Sequence, residues 1–206
     1  MWHRLFLGII AAAALAACEP VPDLSGPPTT TVRLAGAVTL TGPAGYCVDP
    51  VVTKPRQGFA LLAACAAMTA DETDAYPDMI ALITVQVGAD GSGAVAGQED
   101  AFGAFMETPQ GAALLSASAI GGPIAVRVTQ TAPNTVAVYT EDIADPGISG
   151  TQKQAWRLFT DVRGRLVTIT VRGLTDAPLS QSASRALLDA VVTALHSAND
   201  LPSSAT

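Results

Sequence analysis

The chain has 206 residues, with 18 acidic and 11 basic side chains and a formal net charge of −7. Hydrophobic residues make up 49% of the chain and aromatic residues 5%, so we expect one core built mainly of small aliphatic side chains. The acidic balance argues against a nucleic-acid partner, because phosphate contacts need clustered Lys and Arg.

The first seventeen residues are predicted to be an export signal. A basic start ending at Arg4 is followed by an uncharged run from Leu5 to Ala17. A membrane-spanning helix needs roughly 20 apolar residues, so this run is typical of a signal peptide. It ends in Leu15-Ala16-Ala17-Cys18, which resembles the lipobox of bacterial lipoproteins. The resemblance implies cleavage before Cys18 and acylation of its thiol. An ordinary secretory signal cut near Ala17 is the alternative.

The resemblance also implies where the mature protein lies. A lipidated Cys18 anchors it to the membrane, on the periplasmic side of the cell envelope. Glu19 does not clearly favour retention at the inner membrane as an aspartate would, so the outer membrane is slightly preferred. Cleavage removes Arg4, which changes the net charge from −7 to −8.

The rest of the chain divides by composition. Residues 18–31 are predicted to be the lipidated cysteine and a flexible tether rich in Pro, Ser and Thr. Residues 32–199 are predicted to form a single globular domain, and residues 200–206 a disordered tail.

Two cysteines remain after Cys18, namely Cys47 and Cys65. Exported domains meet an oxidising environment, so we expect a disulfide between them. Two buried free thiols are an open alternative, and a catalytic pair of either cysteine with His196 is another. His196 is the only histidine of the mature chain and no CxxC occurs, which argues against zinc. We expect no metal and no cofactor.

The first half of the chain predicts strands and then helices. Residues 31–41 predict a strand with a hairpin at Gly36, and residues 45–49 a short strand before Pro50. The apolar run 59–68 is predicted to be a buried strand that places Cys65 beside Cys47, although its alanines would also suit a helix. Residues 79–87 are rich in β-branched side chains and predict a further strand.

After this strand the spacing of the apolar residues changes to that of a helix. Phe102, Phe105 and Met106 have the spacing of one helical face, and acidic residues precede them where the helix dipole favours negative charge. Thr108-Pro109 predicts the N-cap and first residue of a second short helix, ending near Ser116.

The second half of the chain predicts two hairpins and a helix. The first hairpin pairs residues 124–130 with 135–141, and the second pairs 153–162 with 165–173. Ser180 is predicted to cap the last helix and Asn199 to end it in a left-handed conformation. The predicted apolar stripe is Ala183, Ala186, Leu187, Ala190, Val191, Ala194 and Leu195. This order predicts an α+β fold, an antiparallel sheet of about six strands flanked by helices.

Four segments carry a resemblance to the PsbP-like fold, an α/β/α sandwich. They are "GYCVDP", "AWRLFT", "GRLVTITV" and the helix from Ser180. The resemblance implies a family of extrinsic proteins and assembly factors that dock to other proteins at a membrane. The chain also resembles small exported alphaproteobacterial lipoproteins of unknown function. Neither resemblance carries a catalytic residue.

Several patterns suggest chemistry, and each has a simpler interpretation. Residues 91–96 match GxGxxA, but a dinucleotide site needs a helix that opens on the glycines, so we expect a flexible turn. His196 is interpreted as a helix-end residue. Trp156 and Phe159 lie on opposite faces of a strand by alternation and could contribute to an exposed aromatic patch, although the expectation is core packing with one of the two partly covered. Two acidic groups could bind a cation loosely, although solvated loops are expected: Asp71, Glu72 and Asp74, and Glu141, Asp142 and Asp145.

The first functional hypothesis is a non-catalytic, lipid-anchored periplasmic protein that docks to an unknown envelope protein or serves envelope assembly. The alternative is a binding module for a small apolar or lipid ligand, held between sheet and helices. A periplasmic hydrolase is a less favoured alternative, which would need converging carboxylates of raised pKa.

Overall fold

The computed structural model describes residues 28–69, 75–115, 124–143 and 146–199. Cys18 and the predicted signal peptide lie outside these residues. The strands are β1 Thr31–Leu34, β2 Val38–Thr41, β3 Tyr46–Val48, β4 Phe59–Ala64, β5 Ala81–Val87, β6 Ile124–Ala132, β7 Thr135–Asp142, β8 Gln154–Val162 and β9 Arg165–Gly173. The helices are α1 Glu99–Met106, α2 Pro109–Leu114 and α3 Gln181–Asn199.

The main sheet has seven antiparallel strands in the order β3-β4-β5-β9-β8-β7-β6. Helices flank it, so the predicted α+β class is confirmed, with seven strands where about six were expected. The first hairpin, β1–β2, forms a separate two-stranded sheet. The chain joins the fold just before β1, where the carbonyls of Thr29 and Thr30 accept hydrogen bonds from the N–H groups of Val48 and Gly42.

Both predicted hairpins of the second half are present, because their turns have residues suited to the required backbone. Arg163 and Gly164 join β8 to β9 with φ values of 53° and 71°. Two successive positive φ values match the twist of a hairpin, and glycine adopts them without steric cost. Asn134, with φ of 55°, lies in the turn from β6 to β7.

Helix α3 covers one face of the sheet, packing on β8, β9 and β2. Ser180 caps it as predicted, its Oγ accepting a hydrogen bond from the Ala183 N–H at 3.1 Å. The predicted stripe was partly wrong, because Ala186 and Ala190 are exposed. The side chains that face the core are Ser184, Leu187, Leu188, Val191 and Leu195.

The end of α3 also differs from the prediction. Asn199 has no positive φ. Its side-chain amide instead bonds both backbone groups of Thr39, accepting from the N–H at 3.0 Å and donating to the carbonyl at 2.7 Å. The amide therefore joins the last turn of the helix to β2.

Helices α1 and α2 lie on the opposite face, over β6 and β7. Phe102 of α1 packs against Phe159, with ring centroids 5.2 Å apart. Thr108 caps α2 as predicted, accepting from the Gly111 N–H at 3.1 Å. A Cβ on Gly111 would overlap the backbone of Phe105 and Met106, so the close approach of α1 and α2 requires glycine there.

Trp156 and Phe159 lie on opposite faces of β8, as alternation predicted. Trp156 packs beneath α3, where its indole N–H donates to the Gln181 carbonyl at 2.9 Å and the Arg185 guanidinium lies over its ring. Both aromatic residues are buried. The suggestion that they contribute to an exposed aromatic patch was therefore wrong, and core packing is confirmed.

The predicted disulfide between Cys47 and Cys65 is present. However, β4 ends at Ala64, and Cys65 begins a short 3₁₀ turn instead of continuing a strand to residue 68. Cys47 is paired with Ala63, so a continued strand would place Cys65 at the diagonal position, with the two Cα atoms about 7–8 Å apart. The turn brings them to 4.8 Å, which is within the range that a disulfide spans.

Candidate functional site

One part of the face that carries α1 and α2 is not covered by those helices. Strand pairing places Leu61, Thr84, Thr170 and Arg157 in a row across β4, β5, β9 and β8. A second row crosses the same strands two residues along. The residues of these rows on β5 and β9 are at least partly exposed, and we call them the open sheet face: Thr84, Gln86, Thr168 and Thr170.

A buried charge cluster lies at one side of the open sheet face. Arg172 Nη2 is 2.8 Å from Asp142 Oδ2, and Arg157 Nη2 is 3.8 Å from Asp142 Oδ1. The side chains of these three residues are between 8% and 11% exposed. Charged residues are almost never buried unless they are paired, so the partners of each buried charge have to be identified.

The two arginines are held to different degrees. Arg172 Nη1 donates to the carbonyls of Gln152 at 2.8 Å and Lys153 at 3.0 Å, in addition to the Asp142 pair. Arg157 Nη1 donates to the Leu115 carbonyl. Arg157 Nε and Asp142 Oδ1 are buried without a hydrogen-bond partner among the described residues. Arg157 is therefore the incompletely satisfied member of the cluster.

The electrostatics of Arg157 agree with this geometry. Burial lowers the pKa of Arg157 to about 10; Asp142 opposes that change, and the neighbouring Arg172 adds to it. The guanidinium still carries its charge at neutral pH, and one carboxylate is shared between two guanidinium groups.

A cavity of about 150 Å³, which we call the cleft, opens between the cluster and the open sheet face. Arg157 and Arg172 form its charged wall, and Thr84 and Thr170 line it from the sheet. Leu82 and Ile148 add apolar surface, with Ile148 at 40% exposure coming from the loop before β8.

The arginines of this site were not singled out from the sequence. The available signal was an arginine inside each of two strongly apolar strands, "AWRLF" and "TVRG". The identity of the partner, Asp142, is a tertiary fact, since 30 residues separate it from Arg172.

Residues 91–96, which match GxGxxA, do not open a helix as a dinucleotide site requires, because α1 begins later, at Glu99. The Asp161 carboxylate accepts hydrogen bonds from the N–H groups of Ala94, Val95 and Ala96 at 2.9–3.0 Å. Successive N–H groups can bind an anion, and here the protein's own carboxylate fills that place. The segment is therefore tied to β8, where a flexible turn was expected.

Two members of the acidic groups, Glu141 and Asp142, are engaged with other side chains. Glu141 pairs with Arg127 at 2.9 Å and accepts from Gln154, so Arg127 holds the pKa of Glu141 below its ordinary value. Asp142 belongs to the arginine cluster. The described residues contain no group of three or more side chains suited to a metal ion. Asp71, Glu72, Asp74 and Asp145 lie outside the described residues.

His196 lies near the end of α3, as expected, and its Nε2 is 3.1 Å from the Thr160 hydroxyl. The adjacent cavity is polar and is lined by Asp161, Arg163 and Asn199. Asp161 is engaged by the loop, and Arg163 donates to Asn199. Each polar group near His196 thus has a structural partner.

The fold and the disulfide define an α+β protein stapled at one edge of its sheet. A stable disulfide is typical of oxidising compartments and fits an exported protein. Within the described ranges, no helix is both long and apolar enough to cross a bilayer. No protein-family model matches the chain, and no curated protein matches it. The lipobox and PsbP-like resemblances stay predictions.

Proposed function

We propose that the protein is a lipid-anchored envelope protein, held by acylated Cys18 on the periplasmic side, preferably at the outer membrane. Its folded domain docks to another envelope protein and is not catalytic. The disulfide supports export, and the lipobox-like sequence supports the anchor.

The observation that carries docking is the open sheet face. The described helices pack on β6 and β7 of this face or on the opposite face, and Thr84, Thr168 and Thr170 keep part of their side chains accessible. Val51 and Val52, 64% and 41% exposed, lie in the loop that precedes β4. Non-obligate protein interfaces are about as apolar as the rest of a protein surface, so a surface of mixed polar and apolar character is compatible with docking.

Site-specific photo-crosslinking in the native envelope tests docking. A photoreactive residue at Thr168 reports from the open sheet face, and one at Thr193, which is exposed on α3, is the matched control. We expect a discrete protein adduct from position 168 that is absent at position 193. Equal adducts from both positions, or none from position 168, would contradict docking through this face.

Metabolic labelling with a palmitate analogue tests the anchor. The wild-type protein is expected to carry the label and to sediment with membranes, and Cys18→Ser is expected to lose the label and to accumulate as precursor. A Cys18→Ser chain that is processed normally would instead support the ordinary secretory signal.

A second candidate function is binding of a small apolar ligand. The space between the sheet and α3 is filled by core side chains, including Trp156 and Leu158. An open surface groove of about 460 Å³, within the size range of ligand sites, lies beside α3 and is lined by Tyr46, Tyr76 and Met79.

A neutral apolar dye tests this second candidate. Binding that is lost in Tyr76→Glu, at the exposed rim, and kept in Val51→Glu, at an exposed valine outside the groove, would support it. Equal dye binding by both variants would exclude the groove as the site.

A further inference from the structure

We propose that the cleft lined by Arg157 and Arg172 binds a small organic monocarboxylate, whose carboxylate lies against the two guanidinium groups. The cleft shares Thr84 and Thr170 with the open sheet face, but the proposal does not rest on docking, since binding of a small ligand needs no second protein.

The first argument is charge. Arg157 and Arg172 are both buried and share the carboxylate of Asp142, which leaves one positive charge uncompensated among the residues that the structure describes. A buried charge is costly unless an opposite charge meets it. A water molecule in the cleft would bring no charge. An anion in the cleft would neutralise the cluster.

The second argument is the unused capacity of Arg157. Its Nη1 is committed to the Leu115 carbonyl, whereas its Nη2, 3.8 Å from Asp142 Oδ1, makes no hydrogen bond to that carboxylate. A guanidinium forms its strongest hydrogen bonds with a carboxylate or a phosphate, often through two parallel bonds. The net charge of the two guanidinium groups and the Asp142 carboxylate is +1. A monoanion would therefore neutralise it, whereas a phosphate dianion would leave a net negative charge.

The third argument concerns the rest of the ligand. Thr84 and Thr170 line the cleft and carry hydroxyls, a group that can donate to a carboxylate, and Leu82 and Ile148 offer apolar contacts to a short tail. The cavity measures about 150 Å³, and an apolar protein cavity of about this volume accommodates benzene. A carboxylate on a single ring is therefore a ligand of the size that the cleft accommodates.

Calorimetric titration of the mature protein in detergent tests the site, with benzoate as the probe and benzamide as its neutral isostere. We expect saturable one-to-one binding of benzoate and at least about tenfold weaker binding of benzamide, because charge-assisted bonds are lost. Benzoate is also expected to raise the melting temperature, since it binds the folded state. No benzoate binding, or equal binding of both probes, would overturn the proposal.

Variants locate the binding. Arg157→Gln is expected to abolish it, but this buried substitution could also unfold the protein. Ile148→Trp, at the partly exposed rim, is expected to close the cleft in a folded protein and to abolish benzoate binding. Ile143→Trp, at another exposed isoleucine that does not line the cleft, is the matched control and should bind normally. Unchanged binding by Ile148→Trp would overturn the assignment, whatever the crosslinking at Thr168 shows.

Discussion

Arg172 donates to Asp142 across 2.8 Å, and both side chains are more than nine-tenths buried. The pair joins the end of β7 to the end of β9, with β8 lying between these strands in the sheet. It thus fixes the corner of the sheet on which the cleft is built.

Asp142→Asn should destabilise the protein, because it leaves two buried guanidinium groups without a carboxylate. Breaking a buried ion pair typically costs about 3–5 kcal/mol, and we expect the free energy of unfolding to fall by about 3 kcal/mol in urea titrations. Asp189→Asn is the control, since Asp189 pairs with Arg185 on the helix surface with its side chain 56% exposed. That change should cost less than about 0.5 kcal/mol, and an equal loss in both variants would contradict the special role of the buried pair.

Removal of the disulfide should weaken the domain without changing its fold. Cys47 and Cys65 are 18 residues apart, and closing a loop of this size is worth about 3 kcal/mol in the chain-entropy model. Cys47→Ala combined with Cys65→Ala should lower the free energy of unfolding by that amount. Added reductant should weaken the wild type and leave the double variant unaffected; a wild type insensitive to reductant under unfolding conditions would argue that the thiols are free.

Asp161→Ala should release the loop at residues 94–96. The substitution leaves three backbone N–H groups without their carboxylate acceptor, and we expect a loss of about 2–3 kcal/mol in the free energy of unfolding. Hydrogen exchange should show faster exchange at these amides. Asp176→Ala, at an exposed carboxylate, is the control and should leave their protection unchanged.

Ionisation of Tyr46 should lower the free energy of unfolding at alkaline pH. Burial raises the pKa of Tyr46 from 10 to about 12 in the folded protein. A raised pKa means that the folded state holds its proton more tightly, so this contribution is full below about pH 10 and is lost as the pH rises through about 12.

Tyr46→Phe tests this dependence. It should flatten the fall in the free energy of unfolding across that window, at the cost at neutral pH of the hydrogen bond to the Met79 carbonyl. Denaturant titrations at several pH values compare the two proteins. An identical alkaline slope in both would show that other groups cause the fall.

Local patterns predicted most of the elements. Ser180 and Thr108 were recognised as helix caps and Arg163-Gly164 as a hairpin turn, because their effects act within a few residues of chain. The disulfide was expected from two cysteines and a predicted export signal. The course of the chain at Cys65 did not, since it depends on the distance across the β3–β4 pair.

The sequence by itself determined the α+β class and the order of hairpins and helices, and it favoured the pairing of Cys47 with Cys65, because each follows from local periodicity, turn chemistry or cysteine count. Only the tertiary structure decided that β5 pairs with β9, that Asp161 holds residues 94–96, and that Arg157 and Arg172 share Asp142. These contacts join residues far apart in the chain, and their geometry arises only when the whole sheet is assembled, so no local pattern of side chains specifies them.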